Sequence, residues 1–581
     1  MRCKVGAALG RPRLSENHKK IKEKKSIQAP RKRKKSYNKH KRVRMAVLKM
    51  GYIKGVDREQ IILFPDALEE YIAENNPVRV IDIFINNLDL EKAGFTNNTP
   101  AKEGRPGYDP KSLLKLYIYG YFNKIRTSRK LMTECARNIE VMWLLGKLTP
   151  DFRTIADFRK NNAPGLKNVF IAFVKVCVDL DLYEKELIAI DGSKFRAVNS
   201  KNKNLTKSKL ENKLKRIEEN LKNYLKELDE HDKEDDDNTE KISKEELQGK
   251  IAILEQRKEI YNNYLREMRA EKETQKSLTD PESRLMHNHN GGFEVSYNVQ
   301  TAVDAGYHMI VDFQVTNNCN DYGLLHEGAK SAKEILETKT LEVVADNGYE
   351  SNDDILTCLK SGIIPHVALK KDKIETEIII PYEKAELTPE VINSSEAKNI
   401  EKCLNAGRLP EIYTNKNINI EIIEKAIDGG ESNRYFIISE TGETITCPEG
   451  NILNKVAYLK TKQKSRFVNK AACSKCRNKC TSAKYKQVDL KDGQKTLCLK
   501  KPNVIEQKVK LTITPDKNKL KQRKCIVEHP FGTIKRWYDG SYVLMKSKAK
   551  ITGEMALLFL AYNLKRAINI VKVEKLIEQL A

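Results

Sequence analysis

From about residue 56 to 180, apolar positions recur every three or four residues. Leu68, Tyr71 and Ile72, then Leu113, Leu114, Tyr117 and Ile118, fall on this helical spacing. The stretch YDPKSLLKLYIYGYFNKIRTSRKLMTECARNIEVMWLLG reads as two or three packed helices, with Asp109 as a cap and Pro110 in the first turn. Arg126, Ser128, Arg129 and Lys130 open a following helix. A helix start carrying basic residues suits phosphate; the plain alternative is a helical bundle with a solvated basic rim.

The period then changes. In ELIAIDGSKFRAV (186–198) the apolar run Leu187 to Ile190 stops on Asp191 and Gly192 breaks it, so a strand is expected to end in an acid. Two charged, heptad-like stretches follow at 205–229 and 243–270. Leu210, Leu214, Ile217, Leu221, Leu225 and Leu228 are answered by Leu247, Ile251, Leu254, Tyr261, Leu265 and Met268, with Ser243 and Glu246 as a capping box. This predicts an antiparallel helical hairpin inserted into another unit. The acidic run between its arms has no apolar frame and is read as a solvated turn. Alternation of period two returns in GFEVSYNVQTAVDAGYHMIVDFQVTN, two strands joined at DAG. A helix near 322–337, a strand at 341–345, a helix near 352–361 and the strand IIPHVAL complete the series.

Three antiparallel strands followed by helix-separated parallel ones is a ribonuclease-H-like order, in which the first and fourth strands lie side by side. LEVVADNGYES (341–351) therefore matters. Its buried strand stops on Asp346, where a partly desolvated carboxylate is costly unless paired. Asp346 either caps the helix starting near Ser351 or faces Asp191 across a divalent cation. A third acid, Glu528, stands in RKCIVEHPFGTIKRW, with Lys535 seven residues on, two helical turns along the same face. A carboxylate and a lysine so placed suit Mg²⁺ and phosphate together. Alone, Glu528 reads as a surface acid, and Pro530 favours a helix start at that point.

Composition narrows the class. At 581 residues the chain holds three or four domains. It has no apolar run of ~18 residues and no signal segment, so no membrane span is expected. Twelve cysteines without such a segment point to a reducing cytoplasm and to metal rather than disulfides. The net charge is +26, and residues 1–45 carry 18 Lys and Arg against 2 acids. That basic segment, assigned to 1–50, is expected to be disordered and drawn to polyanions. The alternative is a leader upstream of a start at Met45 or Met50. Cys447, with Cys473, Cys476 and Cys480 in CSKCRNKC, has spacing that suits tetrahedral Zn²⁺. Cys498 is a substitute ligand, and reduced thiols in a basic loop are the plain reading.

The blocks AIDGSKFRAV, GGFEVSYNVQTAVDA, VTNNCND, VVADNGYES and VEHPFGTIKRW resemble those of bacterial insertion-sequence transposases of the DDE superfamily. The helical unit is similar to their N-terminal domain, and the resemblance covers roughly 55–570. It implies Asp191, Asp346 and Glu528 as the catalytic, Mg²⁺- or Mn²⁺-holding triad, and Lys535 from the signature around the glutamate. Lys521 and Lys524 stand where that signature has tyrosine and arginine. Two cations activate the attacking oxygen and stabilise the leaving one. Arg126, Arg129, Lys130, Arg523, Lys524, Arg536 and Trp537 become candidate DNA contacts, Trp537 by stacking a displaced base or, more plainly, as core packing.

The expected architecture is α/β: an all-α DNA-binding domain at 55–180, a ribonuclease-H-like catalytic domain at 185–371 with 515–575, a helical hairpin at 201–275 and a cysteine-bearing insert at 372–515. The expected partners are double-stranded DNA, as terminal repeats and target, and a second copy in a paired-end complex. A catalytically inactive DNA-binding relic is the alternative. A purely structural basic protein fits the first 45 residues but not the strand-end acids.

Overall fold

The computed structural model describes residues 67–96, 107–231, 243–288, 291–371, 373–427, 431–478, 480, 486–501 and 504–581. The basic segment 1–50 lies outside the described residues, as does most of the acidic turn between the two charged helices. Helices come first: α1 (Pro77–Asn86), α2 (Pro110–Phe122), α3 (Ser128–Arg137), α4 (Ile139–Leu145), α5 (Phe152–Asn161) and α6 (Ala163–Asp179). Asn76, Asp109, Thr127, Asn138 and Asp151 each accept a backbone N–H of the turn they cap, which sets where α1 to α5 begin.

β1 (Leu187–Arg196) opens the central sheet. β2 (Asn204–Thr206) leads into α7 (Lys207–His231), α8 (Lys244–Ala270) returns, and β3 (Gln275–Ser277) pairs with β2 to close the base. Ser243 accepts the Glu246 N–H at 3.2 Å, as the capping box predicts. Leu205, Leu210, Leu265 and Met268 form a small core of the hairpin's own. Leu225, expected in the seam, is exposed.

β4 (Arg284–His287), β5 (Phe293–Asp304), β6 (Ile310–Thr316), α9 (Leu325–Ile335), β7 (Leu341–Ala345), α10 (Asn352–Lys360) and β8 (Ile363–Val367) follow. The mixed sheet runs β4-β5-β1-β7-β8, with β6 also paired to β5. β5 is antiparallel to β1 and β6, whereas β1, β7 and β8 are mutually parallel neighbours. One expectation fails: β1 does not end at Asp191. β5 keeps pairing with it from Asp191↔Thr301 to Arg196↔Ser296, so the strand continues where only its parallel neighbour stops.

The insert holds β9 (Thr376–Pro381), α11 (Pro389–Ile392), α12 (Ala397–Asn405), β10 (Ile418–Ile427), β11 (Glu431–Ile438), β12 (Thr444–Thr446), β13 (Ile452–Leu459), β14 (Lys464–Val468), α13 (Lys470–Lys475), β15 (Val488–Lys491), β16 (Thr496–Lys500) and β17 (Val504–Ile513). Its first sheet, β10-β17-β9, sends Ile378, Ile380, Val509 and Leu511 into the main core. Its second, β15-β14-β13-β12-β11-β16, closes on Phe436, Ile445, Leu453, Phe467 and Leu490.

α14 (Lys517–Gly532), a π-helical turn (Thr533–Trp537) and α15 (Lys548–Leu580) complete the chain. Pro530 does not start a helix; it is buried inside α14. Lacking an N–H, it leaves the Ile526 carbonyl without its helical donor, and the helix widens into the π turn three residues on. α15 packs against α1, α2, α5 and α6 and also against β6. One apolar core therefore runs from Val78 through Ile188 and Ile190 to Phe559. The boundary near residue 180 separates helices from strands but not one core from another. No described helix is long and apolar enough to cross a membrane.

Candidate active site

Strand register builds the site. β1 and β7 pair as Leu187↔Glu342, Ile188↔Val343 and Ala189↔Val344. Parallel strands keep a constant offset, so two residues beyond the last pair Asp191 and Asp346 come level. Asp346 follows β7 directly and caps the single turn Asn347–Tyr349, accepting the Gly348 N–H at 2.8 Å. The cap expected for the next helix is Ser351 instead, which heads α10.

Both aspartates line a cleft of about 820 Å³ together with Asp321, Arg523, Glu528, Lys535 and Arg536. Burial pushes the Asp191 carboxyl up to about 7; Arg523 opposes the rise and Asp346 adds to it. The Arg523 Nη1 stands 3.8 Å from Asp191 Oδ2. Lys535 reaches in from the π turn, its Nζ donating to Ser193 Oγ at 2.6 Å and to the Lys194 carbonyl at 3.0 Å. Burial lowers the pKa of its ammonium, while Asp191 and Glu294 pull it back up. The π turn intervenes between Glu528 and Lys535, so a shared helical face is not what unites them; the cleft is.

Glu528 stands apart. Its side chain is 67% exposed and pairs loosely with Lys524 at 3.9 Å. Among the described residues, no three His, Cys, Asp or Glu stand close enough to hold one metal ion. The donors nevertheless suit a hard cation: they are carboxylates, two of them side by side at the cleft wall.

α14 is held to the sheet at its other end. Glu342, four residues before Asp346, accepts from His366 Nε2 at 2.7 Å, Lys416 at 2.6 Å and Lys519 of α14. His366 Nδ1 in turn accepts the Asp516 N–H at 3.2 Å. These bonds draw the Glu342 carboxyl well below the usual range, the His366 bond contributing most. Ile526, Val527 and Phe531 bury the inner face of α14.

The candidate DNA contacts divide. Arg126 is not one of them. It is 6% exposed and donates to the Asp539 and Tyr542 carbonyls at 2.5 and 2.6 Å and to Glu554 at 2.9 Å. The fully buried Glu554 carboxylate requires a cation, and Arg126 supplies it. Arg129, Lys130, Lys524 and Arg536 are exposed. Trp537 is 54% exposed, which removes the core-packing reading, and the Lys124 ammonium lies 3.6 Å from its ring centre. Asp321 escaped the sequence reading although VTNNCND contains it. Its signal was the one that marked Asp346, an acid in a polar turn just past a buried strand.

Cys447, Cys473, Cys476 and Cys480 line a separate cavity of about 50 Å³ in the insert. The Cys447 sulfur accepts the Asn451 N–H at 3.3 Å. Burial raises the Cys473 and Cys480 thiols, and neighbouring thiols add to the rise. Cys498 lies on β16, donates to the Ser432 carbonyl at 2.8 Å and does not line this cavity.

Comparison with known proteins follows the same division. Residues 66–161 match a family described as a transposase domain (DUF772), and residues 266–564 match one described as a transposase DDE domain. Asp321, Asp346, Glu528 and Lys535 fall within the second match, while Asp191 precedes it, separated by the hairpin. No curated protein matches the chain in sequence. A cryo-EM structure of a piggyBac transposase synaptic complex with hairpin DNA aligns over 87% of this chain and 79% of its own, at 8% identity and a TM-score of 0.28, too distant to carry an argument. The DDE match spans just over half of the sequence, and the chain belongs to the transposase DDE domain family.

Proposed function

We propose that this chain is an active DNA transposase that cuts and joins the ends of an insertion sequence by Mg²⁺-dependent chemistry on a ribonuclease-H-like sheet. The observation that carries the reading is the β1–β7 register, which brings Asp191 level with Asp346 in a cleft also lined by Glu528 and Lys535. Asp191 and Asp346 hold the cations, with Glu528 as the third carboxylate. Cations held there would supply activation of the attacking oxygen and stabilisation of the leaving 3′ oxygen. Lys535, fixed by Ser193, offers a point charge to a phosphate. In the first step a water oxygen bonds to phosphorus, the bond to the 3′ oxygen breaks, and that oxygen leaves as a 3′-OH. In the second, the same 3′-OH bonds to a target phosphorus and displaces its 3′ oxygen.

Arg129, Lys130, Arg523, Lys524 and Arg536 serve double-stranded DNA phosphates in this reading, and Trp537 stacks a displaced base. Holding two DNA ends calls for a homodimer. The setting in this reading is a bacterial cytoplasm. The test is a labelled duplex bearing the element's own terminal repeats. Nicking at the element boundary in Mg²⁺, absent with a chelator, is the expected result. End binding without cleavage in either Mg²⁺ or Mn²⁺ would make the protein a relic.

The four cysteines form a structural zinc site in the same proposal. That all four line one small cavity supports it, as does the backbone N–H turned toward Cys447, with the thiols drawing together on the ion. Elemental analysis should find about one zinc per chain, reduced in Cys476→Ser together with protease resistance of the insert. A metal-free preparation with a protected insert would return these residues to plain thiols.

A further inference from the structure

The loop between β6 and α9 carries Asp321 into the cleft beside Asp191 and Asp346. Its Oδ1 accepts two amide N–H groups, from Asn298 Nδ2 at 2.7 Å and Gln300 Nε2 at 2.6 Å. The Gln300 amide is fixed in this orientation because its Oε1 accepts the hydroxyl of the buried Tyr349. Both amides come from β5, the antiparallel neighbour of β1, and Gln300 pairs directly with Gly192.

Gly192 explains the fit. Its backbone does not need glycine, since its φ is not positive. A Cβ there would lie 2.5 Å from Asp321 Oδ1 and 2.3 Å from Gln300 Nε2. Glycine next to Asp191 thus makes room for a second carboxylate. On the far side, the Cβ position of Gly348 lies 2.9 Å from Asp346 Oδ1 and 3.7 Å from Asp321 Oδ2. Asp321 spans the gap between β1, which carries Asp191, and the turn after β7, with Oδ1 on the amides and Oδ2 on the side of Asp346.

A second observation points to a ligand. Asn298 is 1% exposed, and its Oδ1 has no hydrogen-bond partner. That atom lies 2.8 Å from where a Cβ on Gly192, a residue of the cleft lining, would stand. A buried acceptor without a donor is costly, and the water of a hydrated cation is a donor of the right size.

We propose that Asp321 is a fourth carboxylate of the cation site: its Oδ2 takes up a divalent cation, while Asn298 and Gln300 fix Oδ1 and Asn298 Oδ1 accepts from water on that cation. This rests on the cation-dependent reading above. The alternative is that Asp321 only ties its loop to β5.

The test is Mn²⁺ binding to the purified full chain without DNA, followed by calorimetry and by the electron paramagnetic resonance of free Mn²⁺. Asp321→Asn keeps an oxygen for both amides and removes the charge. It should bind Mn²⁺ about 10-fold or more weakly, with an unchanged metal-free melting temperature and a smaller Mn²⁺-induced rise. Asp321→Ser is read the same way should the Asn variant not fold. Wild-type affinity and stoichiometry in Asp321→Asn, with binding lost in Asp191→Asn, would overturn this inference and leave the cation reading standing. Unchanged binding in Asp191→Asn and Asp346→Asn as well would instead remove the cation reading itself.

Discussion

At the scale of the residue, the cleft is a set of charges that the fold holds against their preference. Asp191 sits in partial burial beside a second carboxylate, and both effects raise its pKa. In the proposed cation-bound state a divalent cation would offset both. Trp537 is held in the opposite sense, as an apolar ring kept in solvent between Lys124 and Lys565. Trp537→Ala should weaken binding to DNA ends with an unpaired base by ~1–3 kcal/mol, read by fluorescence anisotropy, with no drop in melting temperature. Equal binding by the variant would remove the stacking role. Arg126 lay beyond sequence reasoning. Its neighbours Arg129 and Lys130 are exposed, and nothing local distinguishes the one arginine that Glu554 claims from 428 residues away. Arg126→Met should leave that carboxylate buried and unpaired, at a cost of roughly 3–5 kcal/mol, visible as a lower denaturant midpoint. A midpoint within error of wild type would contradict the pairing.

At the scale of the element, α14 carries Glu528 and so must be fixed to the sheet that carries the aspartates. The Glu342 cluster does this through Lys519 and, by way of His366, the Asp516 cap. Because the folded-state pKa of Glu342 is depressed, its contribution is fully present above the ordinary carboxylate value near 4.5 and is lost progressively as pH falls from there through the depressed folded-state value. Glu342→Gln should therefore be less stable than wild type at pH 7, by on the order of 2 kcal/mol, with the gap narrowing steadily as pH falls below that ordinary value. A gap that widened in acid would contradict the assignment. The hairpin is the opposite kind of element. Its own core and the β2–β3 pair at its base let residues 207–270 be replaced by a short Gly/Ser bridge with the central sheet intact. Loss of paired-end complexes with retained single-end binding would mark it as an assembly element.

Much of this was legible. Period-two and period-3.6 patterns gave the order of the central strands β1, β5, β6, β7 and β8, of which β7 and β8 are wholly buried and β5 and β6 nearly so. What was not legible were features decided by pairing. β1 runs past Asp191 because β5 is long, and Pro530 sits inside a helix because it shares a buried face with Ile526, Val527 and Phe531.

At the scale of the whole molecule, the N-terminal helices and the central sheet share one core through α15. A chain starting at Glu186 would expose the faces of α15 that cover α2 and α6, and it should be insoluble or unfolded by circular dichroism. A folded, monomeric product would show two separable cores. Arg126, just before α3, is also bonded to the segment after the π turn, so in the proposed reading DNA held at Arg129 and Lys130 would sit on an element joined to the one that carries Lys535. In the proposed function, the two aspartates brought level by the β1–β7 register hold the cations on which strand cleavage depends. The most direct measurement is single-turnover cleavage of a terminal-repeat duplex in Mg²⁺ by wild type, Asp191→Asn and Asp346→Asn, at DNA occupancies matched beforehand in Ca²⁺. The expected result is equal binding with cleavage reduced roughly 10³-fold or more in each variant, the equivalent of several kcal/mol of lost transition-state stabilisation. Cleavage by either variant at the wild-type rate would contradict the account.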